Sequence, residues 1–127
     1  MPVDTHDLFI ILQITHENGV IRAELGINAE SEILKGHFPG HPVVPGASML
    51  QLVKDVLEQA LAKRVRLKKA DHLKFMSLIE PGGDDVQLEI NCKLVEDSGF
   101  FVTAKLLAGE TVCFKLQGVF VTKSTIT

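Results

Sequence analysis

Apolar side chains recur at every second position along much of this chain. Leu8, Ile10, Leu12 and Ile14 alternate with other residues, and so do Ile21, Ala23, Leu25 and Ile27. A period of two marks a strand with one buried face. Glu17-Asn18-Gly19 separates the two runs, and Asn-Gly supplies the positive-φ residues of a tight turn. The chain therefore opens as a β-hairpin, and Ser31 to Lys35 fits one short helical turn. Val86, Leu88, Ile90, Cys92 and Leu94 alternate again, as do Val102, Ala104, Leu106 and Ala108; Val112, Phe114, Leu116, Gly118 and Phe120 close the series. Turn-forming clusters at Glu80-Pro81-Gly82-Gly83, Asp97-Ser98-Gly99 and Ala108-Gly109-Glu110 punctuate these runs. A mixed strand-like stretch, His72 to Ile79, precedes them.

From Gly46 to about Lys63 the period becomes helical. Met49, Leu50, Val53, Val56, Leu57, Ala60 and Leu61 form one apolar stripe, with Ser48, Gln51 and Asp55 roughly opposite. The predicted order is β-β-α-β-β-β-β, an α+β pattern. One helix cannot cover both faces of a six-stranded sheet. An antiparallel sheet curled around one long central helix satisfies the pattern.

A chain of 127 residues is expected to form one domain, over residues 1–127, and its 46% apolar and 23% charged content excludes disorder as the default. With no Trp, no Tyr and a net charge of −3, it lacks the aromatic platforms and basic balance of a nucleic-acid binder. The first cation is Arg22 and the longest early apolar run is Leu8–Leu12. Neither a signal peptide nor a membrane span is expected, so the expected location is cytoplasmic. Cys92 and Cys113 lie in strand-like stretches and read as small buried hydrophobes of a reducing compartment. No glycine-rich phosphate loop is present, Ser48 sits in no nucleophile elbow, and no cofactor is implied. His37 and His41 are spaced like metal ligands, but the Pro-Gly between them breaks any helix that would align the rings. No metal is expected.

The segment before the helix reads Gly36-His37-Phe38-Pro39-Gly40-His41-Pro42-Val43-Val44-Pro45-Gly46. Three prolines at intervals of three, with three glycines, fit neither a helix nor a central strand. An ordered, stiff loop of this kind is costly unless it positions something. It resembles the motif of hotdog-fold (3R)-3-hydroxyacyl-acyl-carrier-protein dehydratases, H-F-P-G-x-P-hydrophobic-x-P-G followed by a helix. Lys74-Phe75 with Pro81-Gly82 is similar to a second family segment, with one extra residue here, and the strand from Gly109 resembles the family's last. The resemblance spans residues of about 34 to 122.

This resemblance implies a hotdog fold and a homodimer joined through its sheets, with three dimers as a further option. It implies an active site shared between subunits, with His37 as the base and the Gly46 backbone N–H as the oxyanion donor. The Val43 carbonyl would orient the histidine. Phe38, Pro39, Gly40, Val43, Pro45 and Ala47 would line the substrate. The family carries Glu or Asp fourteen residues after the histidine; here that position is Gln51.

Dehydration of a 3-hydroxyacyl thioester needs a base for the α proton, a donor for the developing enolate oxygen, and an acid for the departing hydroxyl. Neutral histidine suits the first, and the free N–H groups of a helix N-terminus suit the second. Glycine at 46 would let the thioester approach the backbone. A Gln amide has no acidic proton for the third. Asp55, one turn further along the helix, and His41 are alternative donors.

Lys63, Arg64, Arg66, Lys68, Lys69 and Lys74 crowd into one stretch whose only acid is Asp71, leaving it at +5 against −8 for the remainder of a chain of net charge −3. This reads either as a solvated helix end or as a docking patch for an acidic partner, centred on Arg66, Lys68 and Lys69. The resemblance implies acyl carrier protein bearing a 3-hydroxyacyl phosphopantetheine thioester. The leading expectation is a dehydratase. The competing ones are a hotdog thioesterase, and an acyl-chain binder that has lost its acid.

Overall fold

The structure is a computed structural model and describes residues 8–28, 46–77, 79, 85–95 and 99–122. The turns expected at Ser31–Lys35, Pro81-Gly82 and Asp97-Ser98 lie outside these residues. The elements are β1 (Phe9–Glu17), β2 (Val20–Ile27), α1 (Gly46–Leu61), β3 (Val65–Phe75), β4 (Val86–Val95), β5 (Gly99–Ala108) and β6 (Thr111–Thr122). Six strands form one sheet in the order β1-β2-β4-β5-β6-β3, every neighbouring pair antiparallel. Asn18 (φ 52°) and Gly19 (φ 78°) make the β1–β2 turn, as Asn-Gly requires.

Alternation decides which face is covered. Ile21, Ala23 and Leu25 of β2, Val86, Leu88 and Ile90 of β4, Val102, Ala104 and Leu106 of β5, and Phe114, Leu116 and Phe120 of β6 are all buried. Met49, Leu52, Val53, Val56 and Leu57 of α1 meet that face and complete a single core. Each such side chain, fully buried, contributes about 1.5–3 kcal/mol. The helix touches β1, β2 and β3. β1 and β3 are the two edges of the sheet, so the sheet must curl far enough for both edges to reach one helix.

Four details depart from the sequence-based expectation. On β1 the buried side chain is Phe9, with Ile11 and Ile14 partly buried, whereas Ile10 and Leu12 of the expected alternation are exposed; a bulge between Ile11 and Gln13 breaks the period of two. The helix ends at Leu61, and Ala62 takes a left-handed conformation (φ 54°). The backbone N–H of Val65 then donates to Glu58 Oε2 at 2.9 Å, tying the start of β3 to the helix. β3 accordingly begins at Val65 and not near His72, so Arg66, Lys68, Lys69 and Lys74 lie on a strand, and Lys63 and Arg64 lie in the connection from the helix to it. Finally, Ser48 is buried, at 4% exposure, and Leu52 joins the buried stripe. A helix approached by both sheet edges is covered over more of its circumference than one lying on a flat sheet.

The register of β3 explains why its strand character was hidden. It pairs with β6 through Leu67↔Phe120, Lys69↔Val119, Ala70↔Gly118 and His72↔Gln117, with Lys68 and Asp71 bulged out. Each bulge inserts a residue, so β3 repeats every three residues instead of two. Leu67, Ala70 and Leu73 therefore share the helix-side face. Gly118 permits the close approach, because a Cβ there would collide with the Lys69 carbonyl and sit 3.1 Å from Ala70 Cα.

Candidate active site and a basic outer face

Between α1 and β1 lies a cavity of about 510 Å³, walled by Phe9, Ile11 and Leu52 and carrying Ser48, Asp55, Glu58 and Gln59. Ser48, Leu52, Asp55 and Gln59 follow one another at helical spacing, so α1 presents a single stripe to it. Gln51 stands beside this stripe, and its Nε2 donates to Asp55 Oδ1 at 2.9 Å. The amide expected where the family has an acid is thus coupled to a carboxylate one turn on. The cavity can hold an apolar chain against β1 and offer a carboxyl group from the helix.

Gly46 begins α1, as the motif requires. A Cβ there would come within 2.7 Å of the Phe75 ring. Phe75 packs in turn on Phe114, ring centroids 5.1 Å apart at 36°. Glycine at 46 therefore has a packing reason in addition to substrate approach: it lets the helix start rest on the end of β3. Ala47 is exposed. His37, Phe38, Pro39, Gly40, His41, Val43 and Pro45 lie outside the described residues. Of the expected site, the structure places Gly46, Ala47 and Gln51, and adds Asp55 beside Gln51.

Phe9, Ile11, Ser48, Leu52, Glu58 and Gln59 did not enter the expected site. Their only sequence signal was helical spacing from Asp55, and the β1 wall has no local signal at all. Among the described residues no group of His, Cys, Asp or Glu could hold a metal ion. Cys113 is buried and Cys92 half-buried, and burial pushes the Cys92 thiol above its ordinary pKa.

The opposite face of the sheet has a different character. Arg22, Glu89, Lys105, Lys115 and Lys74 stand side by side on adjacent strands, paired in register from β2 across to β3. Glu89 approaches Arg22 at 3.5 Å and Lys105 at 3.9 Å. Lys115 and Lys74 have no carboxylate partner among the described residues. Like charges directly opposite one another are unfavourable. The next row holds His72, Gln117, Thr103 and Asn91, and the two rows enclose a groove of about 460 Å³. Arg66 and Lys69 lie on this same face of β3, paired with Val121 and Val119, whereas Lys68 sits in a bulge. Lys69 also reaches Asp71 at 3.5 Å. Sequence reading saw a linear run; register assembles a patch from three strands, adding Lys105 and Lys115.

A curled antiparallel sheet on one helix, with a cavity along that helix, is the architecture of a hotdog-fold protein. The chain belongs to the ApeI-like family: residues 13–113 match the family model described as ApeI dehydratase. It is similar to the 3-hydroxyacyl-acyl-carrier-protein dehydratase FabZ of Fusobacterium nucleatum, 24% identical over 116 residues covering 87% of this chain and 82% of that one. It is 30% identical over 97 residues to the FabZ of Caldicellulosiruptor saccharolyticus, covering 68% and 67% of the two chains. Among solved structures, the dehydratase heterocomplex ApeI:P from Xenorhabdus doucetiae superposes with a TM-score of 0.71 at 18% identity, over 88% of this chain and 96% of that one. The fold and the family are those the loop motif implied.

Proposed function

We propose that the protein removes water from a 3-hydroxyacyl thioester carried by acyl carrier protein, giving a trans-2-enoyl thioester for fatty-acid or related lipid synthesis in the cytoplasm. The observation that carries this reading is the cavity along α1, in a member of a dehydratase family whose His37–Gly46 motif immediately precedes that helix in sequence. In this reading His37 takes the α proton and the N–H groups opening α1 at Gly46 stabilise the enolate oxygen. Phe38, Pro39, Gly40, Val43, Pro45 and Ala47 line the approach, and Gln51 stands at the usual acid position. No metal or cofactor is needed for any step.

A homodimer fits the free edge of β3. No strand pairs with its outer edge among the described residues, and Leu73, Phe75 and Met76 expose large apolar side chains beside it. An exposed edge of eleven residues is a template for a second strand. The outer face, with Arg66 and Lys69 beside Lys74, Lys105 and Lys115 and Lys68 at the rim, suits an acidic carrier surface. Its charges would act chiefly on the rate of encounter.

The test is incubation with 3-hydroxyacyl thioesters of graded chain length. Enoyl product supports the dehydratase. Free thiol would mark a thioesterase, and tight binding without either product an acyl-chain binder.

A further inference from the structure

Gln51 leaves the dehydratase reading one proton short, and the structure offers a specific source for it. We propose that Asp55 is the general acid of the reaction, with Gln51 as its positioning residue; the inference rests on the dehydratase reading above. Three observations converge on Asp55. It lines the cavity, which Gln51 does not. Its Oδ1 accepts the Gln51 amide N–H at 2.9 Å, so the only carboxyl one turn from the family's acid position is held by the residue occupying that position. Phe9 and Ile11 of β1 line the same cavity, so an acyl chain seated on them passes beside the helix that carries Asp55. Glu58, the other acid among the described residues of the cavity, carries out a structural task instead, accepting the Val65 N–H.

The step balances without further reagents. The base takes the α proton, and the electrons of that C–H bond form the Cα=Cβ bond. The Cβ–O bond breaks toward oxygen, which takes the proton of the Asp55 carboxyl and leaves as water. Asp55 is left as the carboxylate and the base as its conjugate acid. Transfer of that proton to Asp55 through solvent restores both. The Gln51 amide hydrogen bond to Oδ1 stabilises the carboxylate formed in the step.

The experiment uses the full-length protein and two substrates, a 3-hydroxyacyl and a 3-chloroacyl thioester. Chloride leaves without a proton, so its elimination needs the base but no acid. Asp55→Asn should lower dehydration by about 10²–10⁴-fold, the usual worth of a positioned acid, while chloride elimination stays within about tenfold of wild type. Equal loss on both substrates overturns the assignment, since it marks a structural or binding role. So does dehydration by Asp55→Asn within about threefold of wild type. Asp55→Glu keeps the acid and should recover part of the activity, which guards against a variant that merely misfolds. Removing the amide with Gln51→Leu should lower kcat for dehydration by about tenfold and leave KM and chloride elimination near wild type. An unchanged kcat for dehydration, or an equal loss on both substrates, overturns the positioning role of Gln51. A wild type that forms no enoyl product from any chain length overturns the dehydratase reading and this inference together. An active wild type with an active Asp55→Asn overturns only the inference.

Discussion

The two faces of one sheet have opposite chemistry, though the same strands build both. On the helix side, Phe9, Ile11 and Leu52 wall a cavity whose charged groups among the described residues are Asp55 and Glu58. On the outer side, Lys74, Lys115 and Lys105 stand in adjacent register, with Glu89 the one acid paired to the row among the described residues. The inner arrangement is held by packing: its walls belong to the core, and its acid is anchored by a 2.9 Å hydrogen bond. The outer one is held by backbone pairing and by exposed ion pairs of Glu89 with Arg22 and Lys105, and its neighbouring lysines repel. Chemistry that needs fixed geometry belongs on the first face. Recognition that needs long-range field and tolerates loose geometry belongs on the second.

Variants can break each face separately. The largest effect is expected inside: His37→Ala should abolish enoyl formation while melting and carrier-protein binding stay near wild type. Residual turnover above about 1% of wild type would remove His37 from the base position. Gln51→Glu sharpens the inner face further. With Asp55 as acid it should change dehydration by less than about tenfold, since it only adds a second carboxyl beside the first; a rise approaching 10²-fold would put the acid at position 51. In the core behind the cavity, Leu57→Ala should cost about 2–5 kcal/mol in denaturant unfolding, because Leu57 is fully buried and helix and curled sheet cannot close on the gap.

On the outer face the effects should be smaller and salt-dependent. Charge reversal at Arg66, Lys68 and Lys69 should slow the reaction of carrier-bound substrate by about tenfold at low salt and leave a short, carrier-free thioester unaffected. Reversal at Lys74, Lys105 and Lys115 should do at least as much, if register and not sequence proximity defines the patch. The smallest change is Lys115→Glu, which places an acid between two lysines. It should raise stability by about 0.2–1 kcal/mol in thermal unfolding while slowing the carrier-bound reaction. A variant that is both more stable and equally fast would mean the lysine row does not serve recognition.

Much of the fold was legible because alternation and turn chemistry are local. The Asn18-Gly19 hairpin, the strands from Val86 onward and the helix from Gly46 all stand where spacing puts them. β3 was only half legible. Its bulges at Lys68 and Asp71 give Leu67, Ala70 and Leu73 a three-residue repeat, which reads as a helix continuing. Ser48 was misjudged for a related reason: the stripe of a helix predicts its first neighbour, not the second surface that a curling sheet brings around it. The site was legible at Gly46 and Gln51, because a dense motif leads into the helix. Asp55 was visible as a carboxyl one turn away, but its bond to Gln51 depends on side-chain conformation.

The sequence by itself determined the order of the elements, their antiparallel linkage, the buried faces of β2, β4, β5 and β6, and the family. All of these follow from periodicity, turn residues and motif spacing within short stretches. The tertiary structure decided what distant stretches do to one another. Curling brought β1 against the helix to wall a cavity, and strand register set Lys105 and Lys115 beside Lys74, about thirty to forty positions away along the chain. Long-range pairing is cooperative over the whole sheet, so no local window of sequence contains it.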